Sequence, residues 1–247
     1  MIAALRSEFR KLLTVRSTYF ILGFVLLLEV FFAVYATGYK ATATQLANPA
    51  YLSIQVTDAI TTVAALLSIV GILLVTHEYR YNTIVFTLTA ARSRTVVLLA
   101  KTIAISAFAI VASLIAGFIS PLLTMLGVFI AGHEIGPQIF NVWDLLWRTA
   151  FFGWGFSMLA MIFAFIIRAQ VGAIVAVFLV PSTVESLLGL LLKNNVVYLP
   201  FSSLASVTTA VTQPAVISYG KAALVASAWI IGGWIVAWIL FLRRDAN

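Results

Sequence analysis

No cysteine occurs in the 247 residues, so disulfides, thiolate nucleophiles and cysteine-ligated metals are excluded. Charge is nearly as scarce: Asp, Glu, Lys and Arg make up 9% of the chain, against about 25% in an ordinary soluble domain. Histidine is limited to His77 and His133. Each is followed by Glu, as in the zinc-protease pattern H-E-x-x-H, but Arg80-Tyr81 and Gly136-Pro137 follow, and no second His completes a ligand set. A G-x-x-x-x-G-K-[ST] phosphate loop is missing; Gly220-Lys221 lacks both the upstream Gly and the following Ser or Thr. G-x-S-x-G fails too, because Leu159 ends the run Gly155-Phe156-Ser157-Met158. These residues are not equipped to hydrolyse ATP, and little else in them suggests an enzyme.

What the chain does have is apolar length. Hydrophobic residues make up 63% of it, and the mean hydropathy is +1.10. The runs are continuous rather than alternating, which excludes an outer-membrane barrel and indicates helical spans. The net charge of +7 does not point to nucleic acid, because most of the basic residues hug span ends, where they orient a membrane protein. The expected fold is an all-α integral membrane domain covering 1–247.

Met1–Arg16 places Ile2, Leu5, Phe9, Leu12 and Leu13 on one helical face and Arg6, Arg10 and Lys11 largely on the other. That periodicity predicts an amphipathic helix over 1–16 lying in the headgroup plane. Spans are expected at 18–39, 51–76, 96–130, 143–167, 171–192 and 222–242. The first is too long for a signal-peptide core and contains Glu29, so cleavage is not expected. The third is overlong and interrupted by Gly117 and Pro121, which predicts a tilted, kinked helix or a separate short outer one. Residues 193–221 are too polar for a span and too apolar for a free loop. Two short helices dipping back into the bilayer fit them best.

With the N-terminus inside, eleven Lys and Arg fall on the inner side, and four (Lys40, Arg148, Lys193 and Lys221) on the outer. Both termini are therefore expected to be cytoplasmic. Glu29, Asp58 and Glu185 fall inside spans, where a charge costs at least about 2.5–3.5 kcal/mol near the centre. Arg148 is their obvious partner. The acids line or gate a translocation route and attract cationic cargo, or they lock helices together as satisfied pairs, or they lie near enough the surface to be hydrated.

The loop 77–95 stands out as a charged island between two spans. An amphipathic first helix carrying Glu8 and Lys11, six spans, and a stretch Glu78–Lys101 holding Thr83, Ser93-Arg94 and Lys101 together resemble the membrane subunit of an ABC-2 type exporter. Tyr198-Leu199-Pro200, before the last span, is similar to that family's paired outer helices. The family commonly has Gly before the Thr, where Asn82 stands here, and Pro before the Ser-Arg pair, where Ala90-Ala91-Arg92 stands.

The resemblance implies a permease moving a hydrophobic or amphipathic substrate out of the cell across the inner membrane. Two copies of a separate ABC ATPase would hold ATP and Mg, and a second permease copy or a sister permease would complete the complex. Loop 77–95 would carry the coupling helix, with Glu78, Arg80, Tyr81, Asn82, Thr83, Ile84, Val85, Phe86, Arg92 and Arg94 meeting the ATPase. Lys101 is expected to anchor the third span. Glu29, Asp58, Arg148 and Glu185 are the candidates for the route, and Arg6, Arg10 and Lys11 for the membrane interface. The alternative is a secondary transporter or channel that needs no ATPase.

Overall fold

A computed structural model of the chain describes residues 1–91, 93–133, 141–209 and 217–243. The described residues are mainly helical, with no strand among them. Helix α1 spans Ile2–Thr14 and α2 spans Arg16–Val34, continued by a π-helical turn at Tyr35–Lys40. The short α3 (Ala43–Leu46) leads into α4 (Pro49–Arg80), followed by α5 (Ile84–Ala90) and α6 (Arg94–Ile130). Next come α7 (Val142–Ile167) and α8 (Gln170–Leu179), then a π-helical turn at Val180–Val184 and α9 (Glu185–Leu192). A 3-10 turn at Lys193–Tyr198, α10 (Pro200–Thr208) and α11 (Tyr219–Arg243) complete the chain. Among the described residues, six helices are long and apolar enough to cross a membrane.

Helices α4 and α7 form the centre. In each, 67% of the most apolar stretch is buried, against 11% in the span built from α8 and α9. Their small and branched side chains, among them Ile72, Val75, Ala160, Met161 and Ala164, are almost fully enclosed and share one core cluster with Leu98 and Ala104 of α6. Helix α6 runs unbroken through Pro121. At about 1.5 Å per residue it is some 55 Å long, well beyond a ~30 Å hydrocarbon core.

Close approach between helices depends on missing side chains. A Cβ at Gly153 of α7 would sit 1.7 Å from Ser113 Oγ of α6, and one at Gly127 of α6 would sit 1.9 Å from Thr37 Oγ1. Small residues let helix backbones meet where lipid offers no hydrophobic drive for packing. Thr37 reinforces the second contact by donating to Ala33 O and across to Thr124 O. Three indoles clip other helices to α6: Trp154 Nε1 donates to Ser106 Oγ, Trp234 Nε1 to Thr102 Oγ1 and Trp238 Nε1 to Thr95 Oγ1. Each ring buries its apolar body and still satisfies its N–H.

The joint between α4 and α5 follows a recognisable helix stop. Thr83 N donates to Glu78 O at 2.9 Å and Asn82 N to Tyr79 O at 3.3 Å, the bonding pattern of a Schellman cap. Asn82 takes a left-handed φ of 53°. Apart from glycine, asparagine is the residue that tolerates this conformation best. Asn82 therefore supplies the left-handed residue that ends α4.

Candidate functional site

Four charged side chains converge where α1, the end of α4 and the start of α6 meet. Lys101 enters from α6 and is fully buried. Its ammonium lies 2.9 Å from Glu8 Oε2 of α1 and 2.9 Å from Glu78 Oε1 of α4, and it donates to Leu74 O at 3.0 Å. All three of its protons are used. Lys11, one turn beyond Glu8, donates to Glu8 Oε1 at 2.7 Å and also to Glu78 Oε1. The two acids are nearly as enclosed, at 2% exposure for Glu8 and 5% for Glu78. Two positive and two negative charges balance.

Burial acts to lower the Lys11 pKa, but the hydrogen bonds and charges of Glu78 and Glu8 outweigh it and hold Lys11 above its ordinary value of 10.5. Its contribution to stability is therefore fully present below that ordinary value. It is lost only as the pH climbs through the raised one.

The cluster changes the reading of several residues. Lys11 turns inward rather than toward headgroups, while Arg6 and Arg10 are exposed as an interfacial helix requires. Lys101 holds the third span from the interior, through Glu8, Glu78 and Leu74 O. Glu78 also faces inward and ties α4 to α1 and α6, so it offers no outward contact. Ile84, at 2% exposure, is the foot by which α5 stands on the core cluster. The outward surface is made by Tyr81 at 64% exposure, Val85 at 45% and Phe86 at 73%, with Asn82 and Thr83 exposed beside them.

Arg80 is exposed, donates to Gln170 Oε1 at 3.2 Å and lies 5.6 Å from the centre of the Tyr81 ring. Ser93 Oγ accepts from Val96 N and caps α6. Arg94 donates to Phe241 O and Leu242 O near the end of α11, which ties the end of that helix to the start of α6. Arg92 lies outside the described residues. Between α1, α4 and α5 opens a cavity of about 460 Å³, lined by Lys11, His77, Glu78, Tyr81 and Phe86 among others.

At the opposite end the expected pairing of Arg148 with the intramembrane acids does not form. Arg148 pairs instead with Asp144, one turn back on its own helix at 2.5 Å, and stacks over Tyr219 at 3.5 Å. A partner already on the same face of the helix is always within reach, whereas one on another span is not.

Glu185 is 3% exposed, and its carboxylate accepts from Phe201 N at 2.8 Å, Ser202 N at 2.7 Å and Ser202 Oγ at 2.5 Å. It caps α10 from a different helix and so binds the span broken by the π turn to the segment before α11. Replacing Glu185 with Gln leaves those amides weakly held. The expected cost is about 1–2 kcal/mol, as for a lost helix cap, read as faster hydrogen exchange at Phe201 and Ser202. Unchanged exchange there contradicts the capping role. Glu29 is buried and accepts from Ser120 Oγ, while Asp58 is exposed.

No described group of three or more His, Asp or Glu could hold a metal. An apolar outward patch at the α4–α5 turn and on α5 is joined through a tight cap and a neutral charge cluster to two spans, α4 and α6, and to α1. The chain belongs to the ABC-2 family transporter proteins, whose family model matches residues 4–184, from α1 through the π turn. Membrane subunits of this family generally work with an ATPase partner. No curated protein sequence matches the chain.

Proposed function

We propose that the chain is the permease of an ATP-driven exporter and that the patch Tyr81, Val85 and Phe86 is where a separate ATPase docks. The observation that carries this reading is the contrast within one short stretch. Ile84 is buried at 2%, while its neighbours Val85 and Phe86 stand 45% and 73% exposed beyond the spans. Exposed aromatic anchors beside a rigid support are what a protein partner takes up.

In this reading both termini and α5 are cytoplasmic, in the cell's inner membrane. ATP and Mg sit on two ATPase copies, and a second copy of this chain or a sister permease completes the route. ATPase closure pushes α5. The Schellman turn at Asn82 passes the push to α4, and the four charges carry it to α1 and α6 without letting the three slide apart. A ligand-driven change requires contacts that differ between two states; here the ATPase contacts at α5 supply the difference. The cargo is hydrophobic or amphipathic and moves outward.

The test is purification in mild detergent from cells that also express candidate ABC ATPases. An ATPase that copurifies, and whose turnover is coupled to cargo movement in vesicles, supports the proposal. Transport by an ion gradient with no ATPase bound favours the secondary-transporter alternative.

A further inference from the structure

Glu29 stands at the junction of two grooves. The first, about 500 Å³, runs beneath α2 against α4 and α6 from Phe9 and Leu13 of α1 up to Glu29, and apart from that acid its lining is apolar. The second, about 400 Å³, lies between α2 and α4 and continues from Glu29 past Gln55, Asp58 and Thr62 to Lys40. Val25, Glu29 and Val63 line both.

Among the described residues no cation pairs with Glu29 or Asp58; Glu29 has the Ser120 hydroxyl, and Asp58 is exposed in the second groove. Lys40 at the far mouth is the single basic residue lining either groove, against the two acids Glu29 and Asp58. A carboxylate enclosed among apolar helices without a countercharge is costly, and a cationic ligand would supply the missing charge.

We propose that these grooves bind an amphiphilic cation, its apolar tail under α2 and its charged head on Glu29, with Asp58 drawing the head onward. This rests on the permease reading and gives its cargo a chemical class. Depth separates cargo from resident lipid. Glu29 is thirteen residues along the first span from Arg16 and eleven from Lys40, about 20 Å and 16 Å at 1.5 Å per residue, so it lies near mid-membrane, deeper than the headgroup of an ordinary bilayer lipid.

The experiment measures equilibrium binding of radiolabelled dodecyltrimethylammonium to the purified full chain in phosphatidylcholine nanodiscs, with empty discs subtracted. Dodecyl sulfate and dodecyl maltoside, which share the tail, serve as comparisons. The expected result is saturable binding of the cation alone. Glu29→Gln should weaken it at least about tenfold, the scale of one charge-assisted contact, and Asp58→Asn should weaken it less. Ile115→Trp, at an exposed position lining the first groove, should also weaken it. If Glu29→Gln does not fold, the other two variants decide, and full affinity in both overturns the proposal.

Equal affinity for all three amphiphiles, or a Glu29→Gln protein that binds the cation as before, shows a groove for tails only and overturns it. So does the absence of saturable cation binding. Because no ATPase is present, failure here leaves the docking reading intact, and an ATPase that does not associate leaves the binding result standing.

Discussion

Lys101→Met should destabilise the folded chain by about 3–5 kcal/mol, because it leaves Glu8 and Glu78 buried with one partly exposed lysine between them. Wild-type Lys101 spends all three protons on Glu8, Glu78 and Leu74 O, and methionine replaces none of those bonds. The cost comes from the stranded acids more than from the lost attraction. The pair Lys101→Met with Glu8→Gln should therefore be more stable than Lys101→Met alone, although it carries one more substitution. Equilibrium unfolding in mixed micelles separates the two. If both variants unfold together with the wild type, the four charges are not a structural joint.

The second large effect falls on association rather than on folding. Tyr81→Asp combined with Phe86→Asp should lower affinity for the ATPase at least about a hundredfold, since an aromatic anchor contributes 2 kcal/mol or more at an interface. Both side chains are mostly exposed in the free chain, so membrane insertion and thermal stability should stay near wild type. Loss of stability alongside loss of binding would mean that the patch supports the fold instead. Phe86→Leu, which keeps an apolar surface, should retain much of the affinity.

The spans were legible because a membrane span is written in composition: an uninterrupted apolar run of sufficient length has few other uses. Helix ends were less so. The apolar pattern stops near Thr76, yet α4 continues to Arg80 because Glu78 is paid for by two lysines elsewhere in the chain. Glu8 and Lys11 were visible only as residues of the first helix; their distant partners lie 93 and 67 residues away, and periodicity carries no information at that range. The stretch Glu78–Arg94 was visible as a charged island, although its charges and its contact surface prove to be different things. Glu78 and Arg94 hold helices together, and the apolar Tyr81, Val85 and Phe86 face out. Arg148 was matched to distant acids when Asp144, four residues before it, was the nearer choice. Glu185 as a cap for α10 had no sequence signal, since a cap contributed by another helix leaves no local pattern.

Because the chain has no cysteine, Phe86→Cys introduces a unique thiol at the centre of the proposed docking surface. Cross-linking that thiol in membranes containing the candidate ATPase tests the central claim most directly. The account predicts one cross-linked product joining this chain to the ATPase, with a yield that changes when ATP is added. A thiol that labels freely and gives no ATPase adduct, in membranes where ATP still drives transport, would contradict it.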